Sequence, residues 1–140
     1  MRKTTILSTI KLNAAHVEMF SENNIELLQY NFIKILPLNF KLPSHNASWI
    51  FTSKNAVDAV YSSNEKVKCN EMPHYCVGEK TKLALVKNGQ KVIKTCNNSV
   101  KLANFIINND KNGKYVFCRG SIINKGFSDL VIFFTQTKLT

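Results

Sequence analysis

Five short polar segments follow apolar, strand-forming runs: Thr9 with Lys11, Thr52-Ser53-Lys54-Asn55, Gly78-Glu79-Lys80-Thr81, Cys96-Asn97-Asn98-Ser99 and Arg119-Gly120-Ser121. Their shared chemistry is the recognition of anions. Short hydroxyl, amide and glycine residues let a carboxylate or phosphate approach main-chain N–H groups, and a Lys or Arg neutralises what is bound. In an open parallel sheet such segments lie beyond the carboxyl ends of the strands, beside the positive ends of the next helices. The same residue types are also ordinary helix caps and turn formers. A site therefore requires several of these segments at one edge.

Other chemistries lack their residues. The chain has no GxGxxG and no GxxxxGK[ST], so neither a dinucleotide fold nor a phosphate-binding P-loop is predicted. No GxSxG surrounds Ser8, Ser53 or Ser121. His16, His45 and His74 fall in a predicted helix, a linker and a strand start, without an evident partner, and read as surface or packing residues. Asp58, Glu79 and Asp129 are scattered, so no paired acid and base is readable. Cys69, Cys76, Cys96 and Cys118 form no CxxC pair and have no His at metal-ligand spacing. Neither a metal site nor a redox motif is predicted. Cys76 and Cys118 lie inside apolar runs and read as buried free thiols.

The elements that must position these segments alternate between strand and helix, which predicts an α/β fold with a parallel sheet flanked by helices. A strand is expected at Thr5 to Thr9, a helix from Ala14 to Asn23 with Val17 and Phe20 inward, and a second extended stretch from Leu27 to Leu38. Phe40 to Asn46 reads as a polar linker. Beyond it come strand Trp49 to Phe51, helix Asn55 to Tyr61 with Ala56, Val57 and Val60 inward, and strand His74 to Val77. Then follow helix Glu79 to Lys87 closed by Asn88-Gly89, strand Lys91 to Thr95, helix Val100 to Asn108 capped by Ser99, and strand Tyr115 to Cys118.

The chain has 140 residues, room for one ordinary core or one domain and part of a second. Nineteen basic against nine acidic residues give a formal charge of +10, so the overall field favours an anionic partner. Its longest apolar runs, such as Val131 to Phe134, fall far short of the roughly 18 to 20 residues that span a bilayer. No signal-peptide pattern opens the chain, so a cytoplasmic location is expected. A nucleic-acid binder would interleave exposed aromatics with Lys. Phe51, Tyr115 and Phe117 read instead as core, with Tyr30 and Tyr61 open, so nucleic acid is the less favoured partner.

Ser48-Trp49-Ile50-Phe51-Thr52-Ser53-Lys54-Asn55-Ala56-Val57 resembles the signature of uroporphyrinogen-III synthases, in which a strand runs into Phe-Thr-Ser-x-Asn-Ala-Val. Val77-Gly78-Glu79-Lys80-Thr81 is similar to the family's Val-Gly-x-x-Thr, and Tyr115 to Cys118 followed by Arg119-Gly120 resembles its apolar strand and Gly loop. The resemblance implies two α/β domains, the first built from both ends of the chain and the second, flavodoxin-like, inserted between them. Residues 1–39 would open an incomplete first α/β domain, 40–47 link, 48–130 form the inserted domain, and 131–140 remain of the returning strand. The implied reaction converts hydroxymethylbilane to uroporphyrinogen III, with loss of water, inversion of the last pyrrole and no metal or organic cofactor. A monomer is expected for the family.

The substrate bears eight carboxylates, so the resemblance and the residue chemistry point to the same binding residues: Thr9, Lys11, Thr52, Ser53, Lys54, Asn55, Gly78, Lys80, Thr81, Arg119, Gly120 and Ser121. Phe133 to Thr140 resembles the family's returning strand, and the tyrosine that assists departure of the substrate hydroxyl falls on Thr135. A threonine hydroxyl is shorter and far less acidic than a phenol. Since the resemblance implies that most of one domain is missing, the expectation is a truncated or divergent synthase, weak or inactive alone. A non-catalytic basic α/β module for RNA or a protein partner is the alternative.

Overall fold

Alternating apolar periodicity and side-chain caps build two parallel β-α-β systems in a computed structural model of the protein, which describes residues 4–36, 38–43, 46–110 and 112–120. The chain divides into two units, Met1–Leu36 and Pro37–Thr140.

In the first unit β1 (Thr4–Ser8) and β2 (Ile25–Gln29) pair in parallel, from Thr4↔Ile25 to Ser8↔Gln29. Helix α1 (Ala14–Glu22) connects them, started by Asn13, whose Oδ1 accepts from the His16 N–H at 2.9 Å. Asn24, at φ 55°, turns the chain into β2, a conformation asparagine tolerates better than most residues. The expected stretch from Leu27 to Leu38 is shorter here. The Tyr30 and Phe32 N–H groups donate to Ser8 and Thr9 carbonyls, and pairing stops there because β1 has ended. No described residue of this unit is buried, and Val17, expected inward, is exposed while Phe20 is half-buried.

The second unit contains β3 (Ser48–Phe51), α2 (Lys54–Tyr61), β4 (His74–Val77), α3 (Glu79–Lys87), β5 (Val92–Cys96), α4 (Ser99–Asp110) and β6 (Tyr115–Cys118). The four strands are parallel in the order β5-β4-β3-β6. Pleating sends Trp49, Phe51 and Cys76 to one face, where α2 and α3 supply Val57, Val60 and Leu85. Ile50, Tyr115 and Phe117 point the other way, against Leu102, Ala103 and Ile106 of α4. Full burial of each such aliphatic side chain contributes roughly 1.5–3 kcal/mol.

The parallel α/β class is as expected, with a different strand order from the flavodoxin-like 2-1-3-4. Counted within this unit the order is 3-2-1-4, because α4 crosses the opposite face and delivers β6 beside β3. The connection over residues 40–47 is not wholly polar in its role. Leu42 is buried in the α2 side of the core, and its N–H donates to Glu65 Oε2 at 2.8 Å.

Helix ends follow capping chemistry. Gly89, at φ 75°, closes α3 in a Schellman motif, with its N–H donating to the Val86 carbonyl and the Gln90 N–H to Leu85. The cap of α4 is Asn98, not Ser99: Asn98 Oδ1 accepts from the Lys101 N–H at 2.9 Å, and Ser99 is already the first helical residue. A 3-10 turn at Asn64–Lys68 was not anticipated from periodicity, since one turn is too short to show a period.

Candidate functional site

The carboxyl ends of β3, β4, β5 and β6 open on one edge of the sheet because all four strands are parallel. Phe51 pairs with Cys76 on one side and Cys118 on the other, so the chain leaves three neighbouring strands at one level. At a strand spacing of about 4.8 Å, the loops after β4, β3 and β6 begin within about 10 Å of one another. Strand order reverses between β3 and β6, since α2 leads from β3 one way and α4 brings the chain back to β6. Open parallel sheets leave a ligand crevice at such a switch point.

Ser53 stands in the middle of this edge in extended conformation, its Oγ accepting from the Ala56 N–H at 3.1 Å and starting α2. Thr52 is half-buried, and Ser53, Lys54 and Asn55 are exposed. The Lys54 ammonium pairs with Asp58 one turn along α2, and both side chains are about half-exposed to solvent. Gly78 adopts φ 84° and ψ 147°, donates its N–H to the Cys96 carbonyl at 2.9 Å, and opens α3 with no side-chain cap. A Cβ at Gly78 would meet nothing within 4 Å, so the space before the helix is open. The N–H groups of Glu79, Lys80 and Thr81, which open α3, have no partner within the helix, the first intrahelical bond being that of Lys82 N–H to the Gly78 carbonyl. Lys80 is exposed in that turn and makes no ion pair among the described residues, whereas Lys82 pairs with Glu79 at 3.3 Å.

The edge thus gathers Thr52, Ser53, Lys54, Asn55, Gly78, Lys80 and Gly120. Thr81 does not join them. It is buried on the inward stripe of α3 with Ala84 and Leu85, three and four residues on, because that spacing places all three on one helix face. Arg119 is also buried, at 6% exposure, and Gly120 after it is exposed. Thr9 and Lys11 are exposed in the first unit, where the Lys11 N–H donates to Asn31 Oδ1 at 2.9 Å. Ser121 and Thr135 lie outside the described residues.

Groups with displaced pKa values sit in the core instead. His74 begins β4, at the opposite end of the strand from Gly78, and is fully buried. Burial pushes it down to about 4, against a smaller upward pull from its hydrogen bond to the Met72 carbonyl. Burial likewise raises the Tyr61 hydroxyl and the Cys76 and Cys118 thiols, which keeps those thiols protonated and unreactive at neutral pH. Among the described residues no group of three or more His, Cys, Asp or Glu could hold a metal ion. The described edge offers donors and positive charge, and no hydrogen bond there joins a nucleophile to a base. Sequence reading missed two local partners, Asp58 for Lys54 and Asn98 for α4. The first was readable from i,i+4 spacing.

The family model for uroporphyrinogen-III synthase HemD matches residues 15–130. The chain belongs to the uroporphyrinogen-III synthase family. A search of curated proteins gave no match. The matched stretch begins inside α1 and takes in every described element of the second unit, so the edge built from β3, β4 and β6 belongs to the family's own fold. Thr9 and Lys11 precede it and Thr135 follows it. Membership ties the chain to tetrapyrrole biosynthesis. No helix among the described residues is long and apolar enough to cross a membrane.

Proposed function

We propose that this chain is a cytoplasmic uroporphyrinogen-III synthase-like protein that holds hydroxymethylbilane along the carboxyl edge of β3, β4 and β6, and catalyses its cyclisation weakly when alone. The observation that carries the reading is the convergence of the Ser53, Gly78 and Gly120 loops at the switch point of a chain in this family. Backbone amides near Ser53 and Gly78 and the Lys80 ammonium suit the substrate carboxylates, and the net charge of +10 steers a polyanion toward the chain. The reaction is mainly one of proximity: a flexible bilane must be folded so that the correct carbon of its last ring is attacked once the hydroxymethyl oxygen has left as water. Weak activity follows from a first unit in which no described residue is buried, and from Thr135 standing at the resemblance's tyrosine position. Phe51, Tyr61, Tyr115 and Phe117 are buried, which removes the stacking platform that a single-strand RNA binder would need among them.

Supplying hydroxymethylbilane and separating the isomers should give mostly spontaneous uroporphyrinogen I with a small excess of isomer III. Fluorescence titration with uroporphyrin should show binding that weakens with added salt and with Lys80→Ala. Failure to bind uroporphyrin together with tight binding of single-stranded RNA would overturn the assignment, and isomer III as the dominant product would overturn the weak-activity part.

A further inference from the structure

Two irregular segments of the second unit pack into the α2 side of its core, at the end where β3 and β4 begin. The first is the connection into β3, which contributes Phe40, Leu42 and Ala47 to that core. The second lies between α2 and β4 and contributes Cys69 and Met72. Apolar burial alone would let each segment dock by itself. A hydrogen bond ties them together: the Leu42 N–H donates to Glu65 Oε2 at 2.8 Å, and Glu65 belongs to the 3-10 turn of the second segment. Where the segments run into strands they are joined again, the Trp49 N–H donating to the Pro73 carbonyl at 2.8 Å.

The second segment has weak support of its own. A single 3-10 turn has poorer hydrogen-bond geometry than an α-helix. This one is started by Ser63, whose Oγ donates to the Val60 carbonyl at 2.7 Å and accepts from the Glu65 N–H at 3.2 Å. Beyond the turn Glu71 takes φ 65°, a left-handed conformation that is costly for a residue with a Cβ. Such strain persists only where the surroundings over-determine it. Here Cys69 and Met72, packed into the core on either side of Glu71, hold it in place, and the Met72 carbonyl accepts from His74 Nδ1. Undocking the segment releases the strain. The sheet is built differently, since β4 is paired with β3 on one side and β5 on the other, with Cys76 inside it.

We propose that the connection from Phe40 to Pro43 and the segment carrying the 3-10 turn form a latch that opens as one piece, uncovering Cys69 while the four-stranded sheet stays folded. Openings of this kind involve contiguous units and cost less free energy than unfolding the whole. The latch lies at the opposite end of the sheet from the Ser53 and Gly78 loops and does not depend on the tetrapyrrole reading.

Labelling the full chain with excess iodoacetamide, read peptide by peptide by mass spectrometry, tests it. Cys69 and Cys76 are fully buried and in no disulfide, so each reacts only from an opened form. Where reclosing outpaces labelling, the rate reports the population of that form. Cys69 should react at least about tenfold faster than Cys76, and the Leu42 amide should exchange hydrogen with the opening constant that Cys69 reports. Glu65→Ala removes a hydrogen bond to a charged group and should speed Cys69 by about tenfold. Asn98→Ala weakens α4, outside the latch, so it should speed Cys76 by about fivefold and leave Cys69 unchanged. Cys69 and Cys76 reacting at one rate, both accelerated by Asn98→Ala, overturns the proposal. So does a Cys69 rate that Glu65→Ala leaves unchanged, or a Leu42 amide opening more than about tenfold less often than Cys69, because the turn then moves without the connection.

Discussion

Acid should destabilise the second unit through His74. The imidazole is fully buried, lies nearly parallel to the Phe51 ring at 5.9 Å between centroids, and has both nitrogens engaged. Nδ1 is 2.7 Å from the Met72 carbonyl, which only accepts, so Nδ1 carries the hydrogen. Nε2 then accepts from the Tyr61 hydroxyl, also at 2.7 Å. A second proton on Nε2 would face that hydroxyl with two donors and place a charge in the core. Burial holds His74 near 4, below its ordinary 6.5. The unfolded chain therefore takes up the proton first. Stability from this group is complete above about pH 6.5, declines as the pH falls, and reaches its limit near pH 4, a difference of about 3 kcal/mol. That is a large share of the roughly 5–15 kcal/mol that holds an ordinary domain together. Trp49, the only tryptophan and fully buried in β3, reports unfolding of this unit directly. Urea titrations of the native chain and of His74→Gln, which keeps an acceptor for Tyr61, isolate the effect because carboxylate titration is common to both. The native chain should lose about 3 kcal/mol relative to the variant between pH 7 and pH 4. A stability difference that does not change with pH would refute the buried, singly protonated imidazole.

Two further perturbations read the site and its support. Gly78→Ala should cost about 1–3 kcal/mol, because φ 84° with ψ 147° is a region open essentially to glycine, although a Cβ would meet no atom; urea unfolding measures it, and a neutral effect would remove the strain argument. Asn98→Ala should lower the unfolding midpoint by a stability loss of about 1 kcal/mol, and Ser99→Ala by clearly less; the reverse order would return the cap of α4 to Ser99.

Local signals made the second unit readable element by element. Strands β4 and β6 and helix α3 occur at the expected residues because their ends are marked by the chain itself: Gly78 breaks β4, Asn88-Gly89 closes α3, and Asn112-Gly113 precedes β6. The Ser53 cap and the apolar spacing of Ala56, Val57 and Val60 located α2 in the same way. The first unit was less legible. Its apolar run from Leu27 onward has strand composition, yet strand length depends on how far a partner extends, and β1 ends at Ser8.

Sequence by itself determined the alternation of strands and helices, the hydroxyl-, amide- and glycine-rich composition of the loops, and the family, because capping, periodicity and motif spacing are properties of neighbouring residues. Tertiary structure decided the rest. Placing β6 beside β3 created the switch point, turning Thr81 inward removed it from the edge, burying Arg119 withdrew its side chain from solvent, and enclosing His74 chose its tautomer. Each depends on which groups from distant parts of the chain exclude water from one another, and no local spacing encodes that.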